Sequence, residues 1–454
     1  GEIVFDGKPV RYNVPVHAVQ DGIIYVTEDR KLEGFFETMS IAENFYSGAL
    51  AAGLTSKSFV SYAEMHEIAS TWSRKLDVKA INDNARVVEL SGGNDGLNTI
   101  VPYGDAMYYK HRPTIGIKEK DVLKIDAHFG WHKSMRGIKN LYDEGKVAII
   151  QGVGYDQPSF SHFSSISFWH TAAPNSGNEF GWIGRVASAL DPAGARENLI
   201  VNISDAQTLA VKAEKHIPLV FIDPTRFQRG VYAQEKAALD ALAAQHAPAG
   251  DAHRYVLEVT KSAAQASEIV RAAWGKYKGK DNPDLRLLDL DKVAALIEAD
   301  FPTRLYYVPL RNSLFDTHVN QAAPHDRQLE YCADAIEGFF HELKRMGRQD
   351  DVVMYVHSEF GRRVPENTSL GTDHGTAQVN FVIGNAVKGG MYGKPPSLSE
   401  LVLGDNLEST TDFRRVYASL IQDWLGADAT KVLGQPFQTL GMFTGTPAAA
   451  TAGA

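Results

Sequence analysis

Short apolar runs alternate with helix-length segments along most of the chain. The runs that predict strands are RVVEL, KVAII, LIVNI, RLYYVPL, DVVMYV and NFVIG, which begin at residues 86, 146, 199, 304, 351 and 380. Apolar residues at steps of three and four predict a helix before DVVMYV, namely Leu329, Cys332, Ile336, Phe339, Leu343 and Met346. Apolar strands between amphipathic helices are typical of a parallel sheet covered on both faces. We therefore predict an α/β fold over residues 86–445, an α/β/α sandwich with a mostly parallel central sheet.

The segments around this pattern differ in composition. We predict an accessory, β-rich amino-terminal segment over residues 1–85, because EIVFDGKPVRYNVPV and DGIIYVTED carry β-branched and aromatic residues around Asp-Gly turns. Alanine-rich sequence near 233–299 predicts a helical insertion in the α/β domain. Residues 446–454 are small and polar, and we expect a flexible tail there.

Composition excludes several classes of protein. The 454 residues are 44% hydrophobic, which is enough for a sizeable core. The formal net charge of -9 argues against nucleic acid as a partner, because its binders usually carry a basic face. No apolar run approaches the roughly 20 residues that span a bilayer, so we expect no membrane span. The single cysteine, Cys332, excludes an internal disulfide framework and a thiolate metal cluster.

Four polar clusters stand where predicted strands end: SGGND at 91–95, FDTH at 315–318, HSEFG at 357–361 and GTDHG at 371–375. Because ligands bind beyond the carboxyl ends of strands in an open α/β sheet, we expect the clusters to surround one cavity. Mixed carboxylate and imidazole donors suit a divalent metal such as zinc, manganese, magnesium or calcium. The predicted metal ligands are Asp95, Asp316, His318, Glu359, Asp373 and His374.

Each cluster also has a purely structural interpretation. SGGND followed by GLNT fits a tight turn in which Asp95 or Asn98 caps a helix. HSEFGRR fits a solvated loop with a surface salt bridge. The adjacent Asp373 and His374 fit a hydrogen bond that pins a loop. The sequence leaves these alternatives open.

Longer motifs around the clusters carry a family resemblance. They are ELSGGNDGLNTIVPYGDAMYY, LYDEGKVAIIQGVGY followed by SHF, FDTHVNQ, SEFGRRVPEN, GTDHGTAQVNFVIGNAVKGGMYG and TTDFRRVYASLIQDWLG. Over roughly residues 86–445 the chain resembles an uncharacterised bacterial family that is usually exported by the twin-arginine route. That family in turn resembles a distant branch of the alkaline phosphatase and sulfatase superfamily. The resemblance implies an alkaline phosphatase-like fold and a periplasmic or extracellular protein.

The resemblance also implies roles for the cluster residues. In the superfamily, one or two metals are held at positions that correspond here to Asp95, Asp316, His318, Glu359 and His374 with Asp373 beside it. Many relatives have Asp-His where this chain has Glu359 and Phe360, so one imidazole ligand of a second metal is missing. The family's Gly-Gly before FDTH is Ser313 and Leu314 here, which predicts a bulkier loop.

Superfamily hydrolases place a serine, threonine or formylglycine nucleophile at the start of a helix. The comparable segment here is YDQPSFSHFSSISFWHTA. Formylglycine sulfatases need Cys or Ser two residues before the proline and Arg two residues after it, where this chain has Asp156 and Phe160. A formylglycine sulfatase is therefore not expected. Ser161 and His162 are the catalytic candidates together with Arg362, although a serine at a helix start equally fits a cap.

Two functions of different class remain. The first is an exported, metal-dependent hydrolase of phosphate, sulfate or related esters on a small molecule or polysaccharide. The second is a non-catalytic secreted binding or assembly protein that keeps the scaffold and a structural metal, with a protein partner or a second copy of the chain. The set of acidic and histidine ligands favours the hydrolase. The missing nucleophile pattern and the altered ligand set favour the binding protein.

Overall fold

The computed structural model of the protein describes residues 3–5, 8–12, 17–18, 47, 90–227, 241, 266–280, 282–310 and 313–444. The chain divides into two compact units, Gly1–Asn82 and Asp83–Ala454. In the first unit, β1 (Ile3–Phe5) pairs antiparallel with β2 (Lys8–Val10). This pairing is the hairpin that the sequence predicts at the amino terminus. The predicted strand DGIIYVTED lies outside the described residues.

The second unit carries the remaining described elements. Its strands are β3 (Ile100–Val101), β4 (Val122–Lys124), β5 (Gly130–His132), β6 (Val147–Gly154), β7 (Ile200–Ile203), β8 (Leu219–Phe221), β9 (Leu305–Tyr307), β10 (Met354–Val356), β11 (Gln378–Ile383), β12 (Gly390–Tyr392) and β13 (Thr411–Asp412). Its α-helices are α1 (Gly96–Thr99), α2 (Ala106–His111), α3 (Arg136–Asp143), α4 (His162–Thr171), α5 (Trp182–Leu190), α6 (Pro283–Leu287), α7 (Leu290–Glu298), α8 (Ala322–Met346), α9 (Phe413–Ala418) and α10 (Ala429–Leu433). Short 3-10 helices cover Glu119–Asp121 and Leu209–Val211, and a π-helix covers Ser419–Trp424.

Strand β6 is the centre of the largest described sheet, and all 8 of its residues are buried. It pairs antiparallel with β11 and parallel with β12 and β13, while β10 pairs antiparallel with β11. A second sheet places β5 between β3 and β4, all antiparallel. A third places β7 between β8 and β9, all parallel. The unit is therefore a mixed α/β structure that includes a parallel sheet, which confirms this part of the prediction.

The described strands differ from the single, mostly parallel sheet of the prediction, because they form separate sheets and the largest is mixed. The physical reason lies in the connection between β10 and β11. Parallel neighbours need a crossover, usually a helix, and residues 357–377 contain no helix. The chain turns back beside β10 instead, and the connection carries polar residues.

Helix α8 is the long amphipathic helix that the sequence predicts. It has 25 residues, and the residue that follows it is Gly347, whose positive φ of 70° suits a glycine at a helix end. The helix packs against α3, α6 and α7. Its predicted apolar stripe is buried in the core, including Leu329, Cys332, Ile336, Phe339 and Leu343. Its amino terminus follows the loop that carries the FDTH cluster.

The helical insertion predicted near 233–299 is described in part. Residues 266–276, α6 and α7 are helical, whereas 233–240, 242–265 and 281 lie outside the described residues, as does the predicted tail at 446–454. Among the described helices, none is both long and apolar enough to cross a membrane.

Candidate metal centre

Several loops and the start of one helix bring the polar clusters together. His162 opens α4 after the loop that follows β6, Asp316 lies between β9 and α8, and His374 lies between β10 and β11. The segment that starts at Leu90 runs beside the last of these loops, because the Leu90 N–H donates to the His357 carbonyl over 2.6 Å. Residues from four distant parts of the sequence therefore meet at one place.

One carboxylate and three imidazoles converge there. Asp316 Oδ1 lies 2.9 Å from His318 Nε2 and 3.1 Å from His374 Nε2. Asp316 Oδ2 lies 3.5 Å from His162 Nε2. The Nε2 atoms of His318 and His374 are 2.9 Å apart. Donor atoms around a tetrahedral zinc ion with bonds of about 2.0–2.1 Å are about 3.3 Å apart. Donor atoms of His162, Asp316 and His374 all lie within 4.8 Å of one another, so these three residues could hold one cation. His318 lies beside this group, close to Asp316 and His374.

The other ring nitrogen of each histidine faces an acceptor. The Nδ1 contacts are 2.7 Å from His162 to Glu359 Oε1, 3.1 Å from His318 to Asp373 Oδ1, and 2.8 Å from His374 to the Phe160 carbonyl oxygen. Such an acceptor draws the ring proton to Nδ1 and leaves the lone pair of a neutral ring on Nε2, as in metal-binding histidines. His162 Nε2 is buried and has no hydrogen-bond partner among the described residues. The three rings therefore present Nε2 to the space beside Asp316.

The carboxylate of Glu359 lies behind His162. It is fully buried, and Oε1 accepts from His162 Nδ1 and from the Gly92 N–H over 2.9 Å. Oε2 accepts from the Gly93 N–H over 3.2 Å and from the Ser358 hydroxyl over 3.0 Å. Burial raises the pKa of this carboxyl, but the charge and hydrogen bond of His162 lower it overall. Both carboxylate oxygens already accept hydrogen bonds from the protein. The sequence predicts Glu359 as a metal ligand, whereas the structure shows it as a hydrogen-bond partner of His162.

The two glycines of SGGND make this arrangement possible. Gly92 and Gly93 have positive φ values of 114° and 77°, which side-chain-bearing residues rarely adopt. A Cβ at Gly92 would overlap the backbone nitrogen of Asp316, and one at Gly93 would overlap the ring of Phe360. The glycines thus bring their N–H groups to Glu359 while leaving room for the neighbouring loops.

Asp95, the other predicted ligand in SGGND, has a different role from the one expected. Its Oδ1 accepts from the Leu97 and Asn98 N–H groups and caps α1, which is the structural alternative that the sequence leaves open. Its Oδ2 forms a buried ion pair with Arg112 at 2.6 Å and accepts from Gln321. Because both oxygens are occupied, Asp95 lies outside the group of converging donors.

Arg362 holds Asp316 in place. Its guanidinium donates to Asp316 Oδ1 over 2.7 Å, to the Phe315 carbonyl over 3.0 Å and to the Thr372 carbonyl over 2.7 Å. Nε donates to the Gly93 carbonyl over 2.7 Å, and the side chain is buried. These contacts tie the loops of the centre together, and they leave little of the guanidinium for a substrate.

The nearby charges set the protonation of the centre. Burial lowers the pKa of His162, but the carboxylates of Asp316 and Glu359 outweigh it and raise the pKa to about 9. Burial raises the pKa of Asp316, yet contacts with three histidines and Arg362 hold it well below its usual range. Burial lowers the pKa of His374. At neutral pH, a proton on His162 thus occupies the place that a cation would take.

Ser161 lies at the N-cap position of α4, directly before His162. Its side chain is exposed and makes no capping hydrogen bond, so the capping alternative is not realised. Ser165, one turn further on, is buried, and its hydroxyl donates to the Glu359 carbonyl over 2.6 Å. Ser161 is therefore an exposed serine directly beside a converging histidine.

Sequence reasoning assigned His162 to catalysis and missed the residues that support the rings. Phe360 packs its buried ring against His162 and His374, with centroids 4.8 and 4.6 Å away. Asn367 Nδ2 donates to the His318 carbonyl over 2.9 Å and to Asp373 over 3.2 Å. The replacement of Asp-His by Glu-Phe in the late strand motif was the available signal for Phe360. Asn367 carried no signal of its own.

A family model described as a protein of unknown function, DUF1501, matches residues 84–436. The chain belongs to the DUF1501 family. The matched range contains all residues of the centre, and it confirms the resemblance to an uncharacterised family over most of the chain. No solved structure matches this DUF1501 protein.

Shorter stretches are similar to sugar import proteins. The ribose import ATP-binding protein RbsA of Geobacillus kaustophilus is 37% identical over 94 residues, which are 21% of this chain and 19% of that protein. A ribose/galactose/methyl galactoside import ATP-binding protein of Pseudomonas fluorescens is 37% identical over 150 residues, which are 33% of this chain and 28% of the relative. The DUF1501 protein thus spans less than a third of the length of these curated relatives, and such partial matches do not define its activity.

Proposed function

We propose that this DUF1501 protein is a metal-dependent hydrolase of phosphate, sulfate or related esters. The ligands are His162, Asp316, His318 and His374, and zinc is the first candidate because three imidazoles and one carboxylate suit it best. The observation that carries the proposal is the group of close donor atoms from His162, Asp316 and His374, with His318 beside it and an acceptor behind the Nδ1 of each ring. A cluster that served only to pin loops would not need three histidines turned the same way.

A divalent ion in this centre would polarise an ester oxygen and stabilise the negative charge that develops during hydrolysis. Ser161 is the proposed nucleophile, because its free hydroxyl stands at the N-terminus of α4 beside His162. Asp316 and His318 are 32% and 37% exposed, so a substrate can approach the centre from this side. Arg362, a catalytic candidate in the sequence, would act indirectly by fixing Asp316.

The second candidate is a non-catalytic binding or assembly protein with a structural metal. The observation that favours it is His318 beside the other three donors, because a fourth protein ligand would fill a tetrahedral zinc shell as structural sites do. The exposed side of Asp316 and His318 favours the hydrolase, because zinc can accept a fifth ligand there. Turnover of an ester separates the two candidates, whereas metal content does not.

The wider relationship remains part of the proposal. We infer a distant alkaline phosphatase-like fold from the placement of acidic and histidine clusters between strands β10 and β11 and directly before α8. Export to the periplasm or the cell exterior, by the twin-arginine route, follows from the family resemblance alone. Fractionation of cells that express the full-length gene would test export, and recovery in the cytoplasm would contradict it.

Metal content and ester turnover should be measured together on the same preparations. The chain is stripped with a chelator, reloaded with zinc or manganese, and tested on phosphate monoesters, phosphate diesters, sulfate esters and phosphonate esters. Asp316→Asn and His318→Ala should lose the metal and its stabilisation, which is about 2.7 kcal/mol at a metal concentration of 100 times Kd. The exposed His341 on α8 provides the control, since His341→Ala removes an imidazole outside the centre.

Ser161→Ala should lower turnover at least about a hundredfold while metal content and melting temperature stay unchanged. Metal binding that survives Asp316→Asn would remove the metal assignment. Metal binding without turnover of any ester class would favour the binding protein.

A further inference from the structure

Exposed apolar side chains lie in the chain segments that carry the proposed metal ligands. Ten large apolar side chains of the described residues are exposed, and half of them lie in three short segments, 160–163, 314–319 and 370–374, which also carry the four proposed ligands. These five form what we call the apolar rim: Phe160, Phe163, Leu314, Val319 and Leu370. Single exposed apolar residues are ordinary, but their concentration around one polar site is typical of a binding surface.

Hydrogen bonds hold the three segments of the rim together. His374 Nδ1 donates to the Phe160 carbonyl over 2.8 Å, which joins the first segment to the third. The Gln321 N–H donates to the Leu370 carbonyl over 2.9 Å, which joins the loop after Val319 to the third segment. The apolar side chains therefore stand on neighbouring loops around the polar donors. The most exposed of them, Phe163 at 68%, directly follows the ligand His162.

We propose that the substrate is an amphiphilic ester whose anionic head group binds the metal centre and whose alkyl or aryl chain lies on the apolar rim. The inference rests on the proposed function, because the head group is assigned to the metal. A fully polar ester, such as a sugar phosphate or a polysaccharide sulfate, would leave the rim in contact with water. Hydrolysis adds water across the ester bond and releases the inorganic anion and the alcohol, so no further co-reactant is needed.

The test is a series of non-hydrolysable ligands with one head group and increasing chain length. Methyl, butyl, octyl and dodecyl phosphonate are titrated into the zinc-loaded and zinc-free chain by calorimetry, below their critical micelle concentrations. Affinity should rise with chain length by up to about fourfold per methylene group. Phe163→Ser and Leu370→Asn should flatten this dependence and leave methyl phosphonate binding unchanged.

Leu403 provides a matched control for Leu370. Both leucines are exposed, and both have left-handed backbone angles, with φ of 47° and 59°. Leu403→Asn should leave the chain-length dependence as in the parent chain. No dependence on chain length, or a dependence that both rim variants retain, overturns the inference whether or not the head group binds. Methyl phosphonate that binds equally with and without zinc contradicts the proposed function instead.

Discussion

Replacing Glu359 by glutamine tests whether this carboxylate orients a metal ligand or binds the metal itself. Glutamine keeps the volume of the side chain but exchanges one acceptor oxygen for an NH2 group. The less costly orientation keeps the oxygen toward His162 Nδ1 and the Gly92 N–H, which lie 2.7 and 2.9 Å from Oε1. The NH2 group then donates to Ser358 Oγ, and the Gly93 N–H loses its acceptor.

The magnitude follows from these contacts. One buried donor without an acceptor costs about 1–3 kcal/mol of folding stability, and we expect this loss in metal-free Glu359→Gln. Loss of the negative charge behind His162 also weakens the ring as a ligand. Removing the partner of a metal-binding histidine typically lowers metal affinity about 10–100-fold, which is about 1.4–2.8 kcal/mol of binding free energy.

Zinc affinity should be measured by competition with a chelator, and stability by urea unfolding of the metal-free chain. Glu330→Gln provides the control, because Glu330 is an exposed residue of α8. Unchanged zinc affinity in Glu359→Gln would refute the orienting role. Complete loss of zinc binding, as in a variant of a proposed ligand, would show that Glu359 binds zinc itself. That result would also contradict the orienting role.

Three further predictions concern the surroundings of the centre. Asp95→Asn should destabilise the fold by about 3 kcal/mol, because it breaks a buried ion pair, but the variant should still bind the metal. Asp316→Asn should not bind it. Equal metal content in both variants would contradict the proposal that Asp316, and not Asp95, is a ligand. Gly92→Ala should lower the free energy of unfolding in urea by more than about 2 kcal/mol. Gly145 also has a positive φ but has open space around it, so Gly145→Ala should lower it by only about 1–2 kcal/mol. Equal losses would count against close packing of Gly92 on the Asp316 backbone. Burial lowers the pKa of His325 to about 3, so the folded state resists protonation and stability is lost as pH falls below about 6.5. Between about pH 7.5 and 5, His325→Gln should lose about 2 kcal/mol less stability than the parent chain, and parallel pH profiles would exclude this role.

Local sequence patterns predicted those elements that depend only on residues close together in the sequence. The three-and-four spacing of Leu329 to Met346 predicted α8, and β-branched and aromatic residues around an Asp-Gly turn predicted β-structure at the first hairpin. Sheet direction was not predictable in the same way. Whether β11 runs parallel or antiparallel to β10 depends on the absence of a helix in 357–377, and that stretch is rich in glycine and polar residues without a clear helical period.

The identity of the centre shows a different limit. Sequence reasoning brought Asp316, His318 and His374 to one place, but it could not separate a carboxylate that lies among the converging imidazoles from one that supports a ring from behind. Carboxylates at strand ends look alike in a sequence. Only the three-dimensional structure shows how many hydrogen bonds each carboxylate oxygen already accepts from the protein. His162 was assigned to catalysis because Ser161 and His162 belong to the Ser-His-Phe motif of the family resemblance. The direction of its Nε2 depends on Glu359, at a sequence distance of 197 residues.

The SGGND motif illustrates how one sequence signal can serve a site without supplying a ligand. The sequence predicts Asp95 as a metal ligand and offers a tight glycine turn as the structural alternative. In the structure, the N–H groups of Gly92 and Gly93 donate to the Glu359 carboxylate. Asp95 caps the amino terminus of α1 and forms an ion pair with Arg112. Because Glu359 then fixes the ring of His162, the motif acts on the centre through two successive hydrogen bonds. A change in these glycines should therefore alter metal affinity even though neither residue touches the metal.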